Sequence, residues 1–243
     1  YWKPVWHILE ESVAIVIANA HYGSNVPGRK TDVSDAAWLA DLLAHGLVRS
    51  SFVPERPTQE LRDLTRTRKQ LVRQRAQHVN RLHKVLEDAN LKIGSYVTDI
   101  TGVTGRAILA AIIAGETDAT KLASLRNPRL KTPPDELAKA LHGKITQHHR
   151  FLLQMHLEQI EAADRSVALL DVQIEEQTRP LAEEVRLLED MPGMSRTSAC
   201  VVLAEIGADM SRFPSQQHLV SFAGLCPGLN QSAGKSRSSK LKK

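Results

Sequence analysis

The sequence predicts a mainly α-helical protein with a partial α/β unit at its N-terminal end. Aromatic residues make up only 4% of the 243 residues, so a core must be built from Leu, Val, Ile and Ala, which favours helices over a β-sandwich. Two long stretches repeat apolar residues every three or four positions, as amphipathic helices do. One short run, SVAIVIANA at 12–20, is rich in β-branched residues and predicts a buried strand of a parallel sheet.

The N-terminal part predicts a helix, the strand, a loop and a second helix. Residues 1–10 predict the first helix, and glycine and proline break the chain in a loop over 21–30. The second helix begins near Asp32, has Asp35 in its first turn and ends at Gly46. Strand, loop and helix in this order form an α/β unit.

Two long helices are predicted in the middle of the chain. The first opens near Thr58, and its seam is apolar at both ends and basic in the middle. Arg68 and Arg75 occupy that seam, which a simple dimeric coiled coil rarely allows. The second runs from His148 to Gln177, and we expect the pair to pack antiparallel. Two short helices, separated by a connector at 116–135, are predicted between them.

The C-terminal part predicts two helices joined by a tight turn at Pro192 and Gly193. The second of these helices runs from Ser195 to Ile206. The two helices and the turn between them form a helix-hairpin-helix pattern. A short helix and a loop rich in serine and basic residues follow. The predicted domains are therefore 1–57, 58–180 and 181–243.

The composition limits the classes of protein to which the chain can belong. The formal charge is +5, which points weakly towards polyanionic partners. No apolar run is long enough to span a membrane, and the opening residues do not form a signal peptide. Cys200 and Cys226 lack metal-ligand spacing, and a reduced, intracellular setting fits. Because the chain begins at Tyr1 and ends in a basic tract, we expect it to be a fragment of a longer protein.

Asp32 and Asp35 form the first candidate site. At a spacing of three residues they share a helix face, and two carboxylates can contribute oxygen ligands to a divalent cation. The alternative is purely structural, since acidic residues at a helix N-terminus commonly serve as a cap and as partners of the helix dipole.

The basic part of the first long helix, 58–84, is a candidate nucleic-acid surface. Acidic residues are absent between Asp63 and Glu87, so the positive charge is unbalanced over several turns. The alternative is an ordinary solvated face. The turn at Gly193 is a second candidate, because backbone amides at a helix N-terminus suit a phosphate. The predicted contacts on the helix are Arg62, Arg66, Arg68, Lys69, Arg73, Arg75, Arg81 and Lys84.

Ser232 lies in a glycine-containing loop beside Lys235 and Arg237. A serine in such a place could attack phosphorus while the cations stabilise the transition state. The alternative is a flexible basic tail, and on composition alone three neighbouring serines are equal candidates. These are Ser236, Ser238 and Ser239.

Three blocks in this order resemble the insertion-sequence-110 family of DEDD transposases. GRKTDVSDAAWLADLLAHGLV at 28–48 resembles the end of the family's RuvC-like, RNase-H-type domain. LVRQRAQHVNRLHKVLE at 71–87 resembles its connecting long helix. The segment 187–239, which includes MPGMSRTSACVVLAEIGADM and NQSAGK, resembles its C-terminal transposase domain.

The resemblance implies a site-specific DNA recombinase that cleaves and rejoins strands. Asp32 and Asp35 match the last pair of the family's acidic tetrad, which works with Mg²⁺, and Ser232 matches its nucleophilic serine, with Lys235 and Arg237 matching loosely. The first two acidic residues would lie before Tyr1, so we expect this chain by itself to be impaired in cleavage. The implied partners are DNA, a structured guide RNA encoded by the element and further copies of the chain, as a dimer or tetramer. The implied location is the bacterial cytoplasm, at the nucleoid.

Two other functions stay open at this stage. A non-catalytic module would bind nucleic acid through the basic helix and the turn, and would cut nothing. A junction resolvase would cut with carboxylates and metal alone, so that Asp35 would be essential and Ser232 would not.

Overall fold

The computed structural model describes residues 2–18, 32–48, 50–226, 231–232 and 235–236, of which 32–35, 231–232 and 235–236 are described by their backbone alone. The chain divides into two compact units, residues 1–56 and 57–243. The described residues are mainly helical. None of their helices combines the length and the apolar character that crossing a bilayer requires.

The first unit contains the two predicted helices, α1 (Trp2–Leu9) and α2 (Asp32–Ala44). Gly46 adopts a positive φ of 66°, and the amide of Leu47 donates to the carbonyl of Leu42, so α2 ends where the sequence predicts.

The predicted buried parallel strand at 12–20 is wrong over its described part. Residues 14–17 have no regular structure, and Ala18 forms only an isolated antiparallel bridge with Ser50. Val13 and Val16 are exposed rather than buried. A strand requires neighbouring strands for its backbone hydrogen bonds, and the described part of this unit supplies that single bridge.

An antiparallel pair of long helices organises the second unit, as predicted. These are α3 (Arg56–Asp88) and α7 (Gln147–Thr178). Contacts between them run in opposite directions along the chain, because Arg68 meets Asp171 whereas His78 meets His156. The predicted seam positions of both helices are all buried or partly buried. They are Leu61, Leu64, Arg68, Leu71, Arg75, His78, Leu82 and Val85 of α3, Ala89 directly after its last residue, and Leu153, His156, Ile160, Ala163, Val167, Leu170 and Ile174 of α7. Thr146 caps α7 in a capping box with His149.

The larger hydrophobic core lies at the end of the pair where α3 finishes. It joins Leu82 and Leu86 of α3 to Leu153 of α7 and to three short helices. Gly105 allows one of these helices to pack closely, since a Cβ there would lie 2.0 Å from the carbonyl oxygen of Ile100. The short helices are α4 (Val103–Ala114), α5 (Ala119–Ser124) and α6 (Pro134–Ala140), and α5 lies within the segment predicted as a connector.

A smaller core lies at the opposite end of the pair. There Leu61 of α3 and Ile174 of α7 pack against α8 (Ala182–Glu189) and α9 (Arg196–Ile206). α8 and α9 contact each other, and residues 190–195 join them. A further helix, α10 (Gln216–Phe222), precedes two short strands, β1 (Gln231–Ser232) and β2 (Lys235–Ser236). Single 3-10 turns lie at Ile93–Ser95, Arg179–Leu181 and Met210–Arg212.

Candidate nucleic-acid interface and active-site residues

Asp32 and Asp35 lie in the first turn of α2, as the sequence predicts. Asp32 is the first residue of the helix, and the spacing of three residues brings the two backbone positions onto one side of it. Two carboxylates on one side of a helix could contribute oxygen ligands to a divalent cation, and this role of Asp32 and Asp35 stays a prediction. Elsewhere in the described part of the chain, no group of three or more His, Cys, Asp or Glu residues could hold a metal.

Ser232 lies in a β-hairpin, and the prediction of a loop there is wrong for the paired residues. β1 and β2 are antiparallel, with Gln231 opposite Ser236 and Ser232 opposite Lys235. The backbone therefore places the candidate nucleophile directly across from one of its predicted cations. Arg237, Ser238 and Ser239 lie outside the described residues.

Four of the eight predicted nucleic-acid contacts of α3 are held by other parts of the chain. Arg62 donates from Nε to the carbonyl of Ala204 at 3.0 Å and from its terminal nitrogen to the carbonyl of Glu205 at 2.9 Å. Arg66 forms a bidentate pair with the Glu205 carboxylate. The carbonyls at a helix C-terminus lack partners within the helix, so Arg62 satisfies two groups of α9 that would otherwise need water.

The two seam arginines are neutralised by carboxylates of α7. Arg68 pairs with Asp171 at 2.5 Å. Arg75 pairs with Asp164 at 2.5 Å and donates to the hydroxyl of Thr101. Asp164 also accepts from Arg106, so it links α3, α4 and α7. These ion pairs occupy the stretch between the two hydrophobic cores.

The other four predicted contacts of α3 are exposed. Within the part of the chain that the structure describes, they form no ion pair and no hydrogen bond. The structure therefore separates the basic residues of one helix into a set that holds the fold together and a set that faces solvent. The solvent-facing residues are Lys69, Arg73, Arg81 and Lys84.

A histidine pair adds a titratable contact between the long helices. The Nδ1 atoms of His78 and His156 are 3.2 Å apart, so one of them donates a hydrogen bond to the other. Burial lowers the pKa of His156, and the nearby charges of His78 and Arg81 lower it further. The pair is therefore stable with His156 neutral.

The turn at Gly193 has the predicted backbone but a mixed electrostatic setting. Gly193 adopts a positive φ of 85°, and the Ser195 hydroxyl accepts from the amide of Ser198 as the cap of α9. Arg196 is held by Glu175 and Glu189, and Glu175 has a lowered pKa because of that contact. A phosphate contact at Gly193 stays a prediction.

In the comparisons with known proteins, two family models match this chain, one at each end. A family model described as a transposase, of the DEDD insertion-sequence-110 type, matches residues 1–91. A second model, described as the transposase IS116/IS110/IS902 family, matches residues 185–243. Together they match more than half of the chain. The chain belongs to the insertion-sequence-110 family of transposases. The comparisons with curated proteins and with solved structures found no match.

The two matched regions of this transposase contain all the predicted site residues. Asp32, Asp35 and the basic helix fall within the first, and Gly193, Ser232 and Lys235 fall within the second. The family is one of insertion-sequence transposases, and it implies a DNA substrate. Asp32 and Asp35 belong to the unit 1–56, whereas Ser232 belongs to the unit 57–243.

The sequence reasoning missed the acidic partners of the basic helix. Asp164 and Asp171 are seven residues apart on α7, which places them one above the other on the same face. Arg68 and Arg75 have the same spacing on α3. This matched spacing of opposite charges on two predicted antiparallel helices is a signal that could have identified the pairs.

Proposed function

We propose that this transposase joins itself to DNA through Ser232 and moves an insertion sequence by strand cleavage and rejoining. The observation that carries the proposal is the family match at both ends, and the loop around Ser232 resembles the family's serine loop. The β-hairpin supports it, because its register brings Lys235 opposite Ser232. A cation beside the attacked phosphate would stabilise the charge that develops in the transition state.

The proposed step conserves the number of phosphoester bonds. The Ser232 oxygen forms a bond to phosphorus while the bond from phosphorus to one deoxyribose oxygen breaks. The serine proton passes to a base, and the released deoxyribose oxygen takes up a proton. Attack by a hydroxyl of the recipient strand then reverses the exchange and frees Ser232. No energy-rich cofactor is required, since each step exchanges one phosphodiester for another.

Asp32 and Asp35 are the residues that would hold Mg²⁺. When bound, the ion supplies positive charge at the scissile phosphate. From the first turn of α2, the two carboxylates would contribute oxygen ligands to that ion.

The resemblance also supports a guide RNA and an assembly of several copies. In such an assembly the acidic pair of one subunit and the serine of another act on one phosphate. The protein then works in the bacterial cytoplasm on nucleoid DNA.

Trapping of a covalent protein–DNA adduct tests the proposal. The full-length transposase, for which the resemblance implies a complete acidic tetrad, is incubated with a supercoiled plasmid that carries the element ends, with Mg²⁺ and with the RNA encoded by the element. Adducts are then counted on a denaturing gel, which registers a single attack and does not require turnover. We expect Ser232→Ala to abolish the adduct. Ser236→Ala is the matched control, since Ser236 lies in the same hairpin opposite Gln231, and it should retain the adduct.

The alternatives give different results in the same assay. Loss of the adduct in Ser236→Ala, but not in Ser232→Ala, would contradict the proposal and assign the attack to Ser236 on β2. Cleavage that survives Ser232→Ala and is lost in Asp35→Ala would indicate a resolvase that uses metal alone. Binding without any adduct, unchanged by Ser232→Ala and Asp32→Ala, would indicate a non-catalytic module.

A further inference from the structure

The solvent-facing cations of α3 lie on one line along the helix. We define the cationic stripe as Lys69, Arg73, Gln77, Asn80 and Lys84, all of which are exposed. At 3.6 residues per turn these positions fall on one face, opposite the buried Leu82 and the partly buried Leu71 and Arg75. Arg81 borders the stripe. Lys69 and Lys84 are 15 positions apart, which corresponds to about 22 Å along the axis.

Among the described residues, no carboxylate forms an ion pair with a cation of the stripe. No acidic residue occurs in α3 between Asp63 and Glu87. The carboxylates that α7 and α9 present to α3 are engaged by Arg68, Arg75, Arg62 and Arg66, all outside the stripe. Cations that repel one another over several turns favour a polyanion as their partner.

The residue types of the stripe suit phosphates rather than bases. Lysine, arginine and amide side chains donate hydrogen bonds, and α3 contains no Phe, Tyr or Trp on which an unpaired base could stack. A single strand commonly requires such stacking, whereas a duplex presents a regular line of phosphates. The length of the stripe equals the rise of about six base pairs, at 3.4 Å per phosphate on each strand.

We propose that the cationic stripe lies along the phosphate backbone of duplex DNA and holds it without regard to sequence. The choice of DNA over another polyanion rests on the proposed function, since the substrate of the family is DNA. The stripe itself is independent of the chemistry at Ser232. It is also distinct from Arg62, Arg66, Arg68 and Arg75, which have structural roles.

Binding to a 30-base-pair DNA duplex of arbitrary sequence tests the proposal. The triple variant Lys69→Gln, Arg73→Gln, Lys84→Gln removes the charges of the stripe and keeps residues that favour helices. The matched control Arg129→Gln, Lys131→Gln, Lys139→Gln removes three exposed charges from the segment around α6. Both variants lower the net charge equally. Circular dichroism confirms that both remain folded.

We expect the stripe variant to bind duplex DNA more weakly and with less salt dependence. Three lost phosphate contacts reduce the slope of log affinity against log salt by about 2.7. Raising the salt from 50 to 200 mM should therefore weaken the wild type by about 40-fold more than the variant. The control should behave like the wild type.

Three results would overturn the proposal. Equal weakening of both variants would indicate a general effect of net charge, and an unchanged stripe variant would leave the stripe without a role. Weakened binding to an RNA duplex of the same length, with DNA binding intact, would assign the stripe to the guide RNA. The adduct assay with Ser232→Ala is independent of this measurement, so either proposal can fail while the other holds.

Discussion

At the scale of residues, the seam between the two long helices is polar at its centre. Arg68 and Arg75 take positions that apolar residues usually fill, and each meets a carboxylate of α7. His78 and His156 form the next contact along the seam. A partly buried polar group is tolerated only when its hydrogen bonds are satisfied, and every one of these groups has its partner on the other helix. These contacts therefore specify which residues of the two helices meet.

The histidine pair should make stability depend on pH. Because the pKa of folded His156 lies below its ordinary value of 6.5, the unfolded chain binds more protons in this range. The contribution of His156 to the free energy of unfolding is therefore fully present above about pH 6.5 and is lost as the pH falls below that value. We expect urea denaturation to show a lower free energy of unfolding at pH 5.5 than at pH 7.5.

His156→Gln should flatten that pH dependence. His148→Gln is the control, since His148 is exposed on the same helix and should leave the wild-type dependence unchanged. An unaltered pH dependence in His156→Gln would show that other groups cause it.

At the scale of elements, the basic helix both supports the C-terminal helices and presents a charged face. The end of α9 is fastened to α3 by Arg62 and Arg66, next to the smaller core that contains Leu61 and Cys200. Burial raises the pKa of the Cys200 thiol, as suits a core residue. One helix thus carries both the contacts to α9 and the cationic stripe.

Arg62→Met should weaken this connection. The substitution leaves two carbonyls of α9 without their charged donor, and hydrogen bonds to charged groups contribute about 1.5–3 kcal/mol. We expect the free energy of unfolding to fall by roughly 2–3 kcal/mol in urea denaturation. Arg73→Met, on the exposed face of the same helix, should change it by less than about 0.5 kcal/mol. Equal effects of the two substitutions would contradict the division of the basic residues.

At the scale of the whole molecule, the apolar cores belong to one of the two units. Both hydrophobic clusters consist of residues between Leu61 and Ala204. Among the described residues of 1–56, only Pro54 is buried, and large side chains such as Ile8, Leu43 and Leu47 are exposed. Burial of apolar surface is the dominant stabilising term in folding, so the two units should differ greatly in stability by themselves.

Residues 57–243 should therefore fold as a separate protein. We expect this fragment to keep its helical circular dichroism and to unfold cooperatively in urea, whereas residues 1–56 should show no cooperative transition. A fragment 57–243 that unfolds gradually would show that its two cores need the N-terminal unit.

Local periodicity was enough to predict the long helices, their seam positions, the ends of α2 and α9 and the turn at Gly193. These features depend on residues three or four positions apart, on caps and on glycine conformations, all of which neighbouring letters specify. The motifs around Asp32, Asp35 and Ser232 likewise carry the resemblance to the family whose models match both ends of the chain. The failure at 12–20 has the same origin, since a β-branched run favours a strand but cannot supply the strands beside it. Only the tertiary structure decided which cations of α3 are free, because Arg68 and Asp171 are 103 residues apart and Arg62 and Ala204 are 142 apart. The role of a charged side chain depends on which groups lie within a few ångströms of it in the folded protein. Neighbouring residues in the sequence do not determine that distance when the partner is more than a hundred residues away.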